Sequence, residues 1–282
     1  RIDEPAALHT IDALAATFAT SSGEPARGAA VAAGVLAAED AQDLAVAWAA
    51  AAATLSCARL GRFADVEPIA RRGLNATHPG LLRFTMGLGQ TLALIMAADV
   101  GSAEKLARHY LSFSEFQQPG RAIGEVLLGH TLLAAGSYPN AVTVLRQAAA
   151  ALTSTGYSWG PLARIGLAQA LGQQGRAAEA AAALQRAEAS HGLRSNIYAP
   201  DLALARAWTL AAARDTRGAV GAVRDAVHAA EQSGQDAVAL RVLHDAARLG
   251  DLHGLAAARR INAKIGCAAG ELCVSHLEAL TS

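Results

Sequence analysis

The chain has 282 residues, 24 basic against 24 acidic, with 52% hydrophobic but only 4% aromatic side chains. Formal neutrality argues against a broad nucleic-acid or membrane-binding face. An alanine-dominated apolar share, with no alternating run of Val, Ile, Thr and aromatics, reads as all-α rather than β.

The opening Arg1-Ile2-Asp3-Glu4-Pro5 is not expected to act as a signal peptide, because acids stand where basic residues belong and no uninterrupted apolar core follows. With no membrane span expected, the location it predicts is cytoplasmic. Residues 5–19 and 25–39 are expected to form a less regular N-terminal helix pair, within an irregular region 1–40. Beyond it, first (A) helices are predicted at 42–59, 80–98, 121–135, 161–173, 200–213 and 236–248. Matching second (B) helices are predicted at 64–75, 103–115, 140–153, 177–190, 217–232 and 253–264. The apolar run 44–58 falls short of the roughly 20 residues of a bilayer span and reads as a buried helix.

The strings Leu60-Gly61-Arg62, Ala135-Gly136-Ser137, Gln174-Gly175-Arg176 and Leu249-Gly250-Asp251 each close one Ala/Leu-rich stretch and open another. With Gly101 and Asp215 the series 61, 101, 136, 175, 215, 250 steps by 40, 35, 39, 40 and 35 residues. A period in this range marks a helical solenoid, whose two-helix units must stack to bury their apolar faces. The long breaks between units are 75–80, 117–120, 154–161 and 192–200, rich in Gly, Pro, Asn and Ser. The prediction is one helical-repeat domain over 1–282: a right-handed superhelical solenoid of tetratricopeptide-like helix pairs, about six of them over 41–264. Residues 265–282 would start a further, truncated repeat, as expected of a piece of a longer protein.

Cys57, Cys267 and Cys273 form no metal pattern and read as reduced, buried thiols, with a Cys267–Cys273 disulfide as the alternative. No phosphate loop, His-Glu-x-x-His or Cys-x-x-Cys occurs. Gly156-Tyr157-Ser158-Trp159-Gly160 matches the hydrolase elbow in letters, but follows a helical segment where the elbow needs a strand. The chain is expected not to be an enzyme.

The segment from Leu162 to Leu249 contains Gln173-Gln174-Gly175-Arg176, Tyr198-x-Pro200-Asp201-Leu202 running into Trp208, and Val242-Leu243-His244-Asp245. Together these resemble the solenoid region of large LuxR-type transcription regulators, relatives of the maltose-regulon activator in the signal-transducing ATPase (STAND) class. The resemblance implies the effector-binding sensor of such a regulator. It would bind a small polar inducer, a sugar by analogy, and contact the other domains of the same regulator, with no direct DNA contact. No cofactor is expected in this fragment, and ATP and Mg would belong to an absent nucleotide-binding domain. The alternative is a protein–protein scaffold that grips a peptide or partner domain.

In a tetratricopeptide register, six residues back from each turn gives Leu55, Ile95, His130, Gln169, Thr209 and His244 on the concave face. The last four are hydrogen-bonding and suit a polyhydroxylated ligand, unless the face is polar only because water wets it. Trp159 and Trp208, with Tyr157 and Tyr198, offer stacking surfaces in the same half, or packing. Glu125, Arg164, Arg206 and Asp245 are charges inside apolar A helices, available to a ligand or to one another. The candidate ligand-binding set is therefore Glu125, His130, Trp159, Arg164, Gln169, Trp208, Thr209 and His244.

Overall fold

The computed structural model describes residues 4–78, 80–113, 118–153 and 155–282. The expected features at Arg1–Asp3, Pro79, residues 114–117 and Ser154 lie outside these. Among the described residues there are α-helices and two short 3₁₀ segments and no strand.

The A helices are α1 (Glu4–Ser21), α3 (Asp43–Leu60), α5 (Leu82–Met96), α7 (Gly120–Ala134), α9 (Trp159–Gln173), α11 (Ala199–Ala212) and α13 (Asp236–Arg248). Each is followed by its B helix: α2 (Pro25–Ala37), α4 (Phe63–Asn75), α6 (Val100–Ser112), α8 (Tyr138–Ala151), α10 (Ala177–Ser190), α12 (Thr216–Gln232) and α14 (Leu255–Ile265). α15 (Ala268–Thr281) closes the chain. Of the A helices, α3, α7 and α9 are buried on most sides, as Ala45 to Ala47 and Ala49 to Ala53 of α3 illustrate, whereas α4 buries only Val66, Ala70 and Gly73. A helices thus form the inner layer of a right-handed superhelix and amphipathic B helices its outer wall.

Small residues set the spacing between layers. A Cβ on Gly172 of α9 would stand 2.8 Å from the Trp208 backbone, so α9 and α11 touch main chain to main chain. α3 is long and apolar enough to cross a membrane, but 78% of that stretch is buried inside the protein.

The turn between A and B helices needs one residue in the left-handed region. Gly23, Gly61, Gly136, Gly175 and Gly250 fill it with φ of 96°, 84°, 73°, 73° and 91°, and Ala98 and Arg214 fill it at 60° and 64°. The turn positions are therefore 98 and 214, where the sequence suggested 101 and 215. Asp99 and Asp215 instead cap α6 and α12, accepting from Ser102 N at 2.9 Å and Gly218 N at 2.8 Å. α6 accordingly starts three residues before the expected 103. With these positions, and with Gly23 opening the series, the steps become 38, 37, 38, 39, 39 and 36 residues. The N-terminal pair α1–α2 is thus a repeat like the others.

The superhelix closes on itself. α13 packs on α3, α15 on α5, and the 3₁₀ segment Leu193–Tyr198 on α1. Asn196 donates to the Ser22 carbonyl at 2.8 Å, and a Cβ on Gly61 would sit 2.6 Å from Cγ2 of Ile265. Met96 of α5 shares a core cluster with Leu204 and Leu240. About one superhelical turn therefore brings the early repeats against the late ones.

Candidate functional site

Closure places charge on the axis. Arg59 of α3 and Asp201 of α11 are 2% and 4% exposed and meet at 2.5 Å, with Arg241 of α13 on the other carboxylate oxygen. Arg59 also donates to Gln235 and to the Ile197 carbonyl at 2.9 Å, and lies 5.3 Å from the Tyr198 ring centroid. Burial alone would raise the Asp201 pKa, but the charges and hydrogen bonds of Arg59 and then Arg241 outweigh it and hold the carboxyl well below its usual range. Asp245 shows the opposite balance: burial raises its pKa in spite of Arg248 at 2.6 Å, with Arg241 only a more distant charge.

Where the axis is not filled, a cavity of about 740 Å³ remains between the first repeats and the long breaks of the later ones. Its walls are Leu14, Thr17, Phe18 and Ser21 of α1, Trp48, Ala51, Ala52 and Leu55 of α3, and Leu82 and Thr85 of α5. Ile123 of α7, Trp159 of α9, residues 156–158, and Arg194, Ile197 and Tyr198 complete it. Thr17 and Leu55 each stand six residues before a turn glycine, so the concave row does line the cavity in the first two repeats. The volume lies in the range of ligand pockets, and the lining is mostly apolar and aromatic.

The cavity continues onto an uncovered helix face. Leu8, Ile11, Leu14 and Phe18 of α1 are 55%, 59%, 46% and 56% exposed and recur at helical spacing on one side. That stripe spans roughly 15 Å at 1.5 Å per residue.

Among the candidate residues, only Trp159 lines this cavity. His130 instead faces the axial charges: its Nε2 is 3.3 Å from the Leu162 carbonyl, and burial pushes its pKa down to about 4 despite Asp201. Gln169 is buried on α9, and Thr209 donates to its own helix at Ala205 O, 2.8 Å away. Glu125 receives from Arg121 at 3.2 Å. Trp208 lies under Arg248, 4.6 Å from ring centroid to guanidinium, and His244 packs edge-on to His276 at 5.1 Å. Arg164 reaches Thr153 at 3.1 Å in an outer cleft, and Arg206 reaches Glu188 at 2.5 Å on the surface. The eight residues do not meet in one pocket.

The shifted turns explain part of this. Counting back six from 98 and 214 gives Leu92 and Trp208, so Ile95 and Thr209 fall off the row that holds His130, Gln169 and His244. Of the four aromatics singled out from sequence, Trp159, Tyr157 and Tyr198 share the cavity and Trp208 does not. Sequence reasoning missed Trp48, Phe18, Arg59, Asp201 and Arg241. Charges flanked by apolar residues within α3, α11 and α13 are the signal that could have flagged the last three.

The Gly156–Gly160 segment follows helix α8, and its middle residues wall the cavity. The three cysteines are free and buried, and burial pushes the Cys273 thiol up to about 12. No group of three or more His, Cys, Asp or Glu is placed to hold a metal among the described residues.

No family model matches the chain, and no curated protein does. Among solved structures it is similar to a Rap protein crystallised with Competence and Sporulation Factor. The TM-score is 0.67 at 15% identity, over 94% of this chain and 75% of that one. At such identity the likeness speaks for the fold: a tetratricopeptide-like helical repeat along nearly the whole chain.

Proposed function

We propose that this chain is a recognition module that holds an apolar segment of a partner protein in the cavity between α1, α3 and the 156–159 and 193–198 walls. The observation that carries the reading is the continuity of the cavity with the Leu8–Phe18 stripe of α1. A small molecule would be satisfied by the cavity alone. An exposed apolar stripe of three turns beside it suits a peptide or helix laying several side chains in a row. The Rap protein bound to Competence and Sporulation Factor is a precedent for a partner on this fold.

The sensor of a LuxR-type regulator with a polar inducer is the second reading. It draws on the sequence resemblance and on the cluster of Trp208, Arg248, Asp245 and His244, in which the buried Trp208 indole N–H has no hydrogen-bond partner among the described residues. The cavity is mostly apolar, with few polar groups for a sugar's many hydroxyls, which disfavours that ligand at that place.

Selection from a displayed random-peptide library tests the first reading. Enriched peptides should carry several large apolar residues and compete with one another. Their binding should be lost on Thr85→Trp, which fills the cavity, and on Phe18→Glu, which breaks the stripe. Peptides that bind these folded variants as well as the parent would refute the proposal. Stabilisation by sugars or metabolites that Thr85→Trp leaves intact and Trp208→Phe abolishes would favour the second reading.

A further inference from the structure

The 156–158 wall of the apolar cavity has a second side. There the end of α8, the start of α9 and residues 190–195 enclose a cleft of about 410 Å³, which shares residues 156–158 and Arg194 with the cavity. The cleft continues through Thr153, Arg164 and Ser190 into a groove of about 570 Å³ between the outer helices α8 and α10. Arg146, Arg164, Arg186 and Arg194 line this path, with hydroxyl groups between them and no carboxylate among the described lining residues.

That is unusual within this molecule. Most of its arginines pair with a carboxylate, as Arg108 does with Glu104, Arg224 with Asp251 and Arg259 with Glu278. In the cleft, Arg146 has Glu179 at 3.0 Å, but Arg164 has only the Thr153 hydroxyl, and Arg186 and Arg194 have no carboxylate partner among the described residues. A neutral protein has thus gathered unpaired guanidinium groups in one concave place, where their fields add and focus. The arginines come from α8, α9, α10 and the segment after α10, so they are strung along the groove rather than aimed at one point. A row of separate forks matches a row of carboxylates better than one compact anion.

We infer that this outer cleft binds an acidic peptide segment, the continuation, across the 156–158 wall, of the partner whose apolar part fills the cavity. The inference deepens the reading of the cavity as a partner site and rests on it, yet the cleft is tested separately. Fluorescein-labelled hexaglutamate is titrated by anisotropy at low ionic strength against the parent, Arg164→Gln/Arg186→Gln, Arg72→Gln/Arg217→Gln and Thr85→Trp. The second double variant removes the same charge from two exposed arginines elsewhere that also lack carboxylate partners among the described residues. Saturable binding that weakens about tenfold or more in the cleft variant, under twofold in the control, and in parallel with added salt is the expected result. Unchanged hexaglutamate binding to Thr85→Trp, alongside loss of the apolar peptides, would separate the two halves of the site. No saturable binding by the folded parent, or equal loss in both double variants, overturns the inference. So does inorganic phosphate binding the cleft more tightly than hexaglutamate with the same dependence on Arg164 and Arg186.

Discussion

Replacing Asp201 with alanine removes the carboxylate that lies between Arg59 and Arg241 on the superhelix axis. Arg241 is partly exposed and can recover water. Arg59 cannot, being 2% exposed, and would keep only Gln235, the Ile197 carbonyl and the Tyr198 ring to offset its charge. Removing one partner of a buried pair costs about 3–5 kcal/mol, and the half that falls on Arg241 is softened by solvent, so about 3 kcal/mol is expected. Because a solenoid's stability is a sum over neighbours, the loss should centre on the contact of α3 with α13. Urea unfolding followed by circular dichroism gives the overall loss, and amide hydrogen exchange should show α1 to α3 and α13 opening earlier than α7 and α9. Arg59→Met alone leaves Asp201 with Arg241 and should cost less. The double variant should cost clearly less than the sum of the singles, because the methionine removes the charge the alanine left stranded. A loss below about 1 kcal/mol for Asp201→Ala, or single losses that add within about 0.5 kcal/mol, would refute the view that the pair clamps the superhelix shut.

The pH dependence has two limbs. His130 is held to about 4 in the fold against an ordinary 6.5, so the unfolded chain takes its proton first and stability falls as pH drops from about 6.5 to about 4. His130→Gln should flatten that limb in urea midpoints measured across pH. The depressed Asp201 carboxyl contributes stability above its ordinary value of about 3.9 that is lost only as pH falls further, so Asp201→Asn should blunt the acid limb below pH 4. Gly175→Ala meets open space but keeps φ at 73°, so it should cost about 1–2 kcal/mol in denaturant titration. Arg214→Gly relieves the same strain at φ 64° and should be neutral to stabilising by up to about 1 kcal/mol. Phe18→Ser lies on the exposed stripe and should change stability by no more than about 0.5 kcal/mol while weakening apolar peptides.

The helical class, the alternation of A and B helices and the tetratricopeptide-like repeat were legible because they are local. Alanine content, 3.6-residue patterning and a turn residue every 36 to 39 positions act within one unit and its neighbour. Even there, Ala98 and Arg214 hid two turns, since the fold holds them in a conformation their side chains disfavour. α9 and α13 were readable to within about two residues, and Tyr157, Trp159 and Tyr198 were readable as an aromatic group. What the concave face does was not. A register assigns His130, Gln169 and His244 to the inside of a superhelix, but not how tightly the superhelix winds. Winding is a sum of small rotations over seven repeats, and it decides whether the inside is a wet groove or a packed axis. Here it brings Arg59 to Asp201 across 142 positions, closes the interior on the later repeats, and leaves the open space beside α1. Partners that far apart in sequence carry no periodic signal, so only the tertiary structure could bring Phe18, Trp48 and Arg194 together.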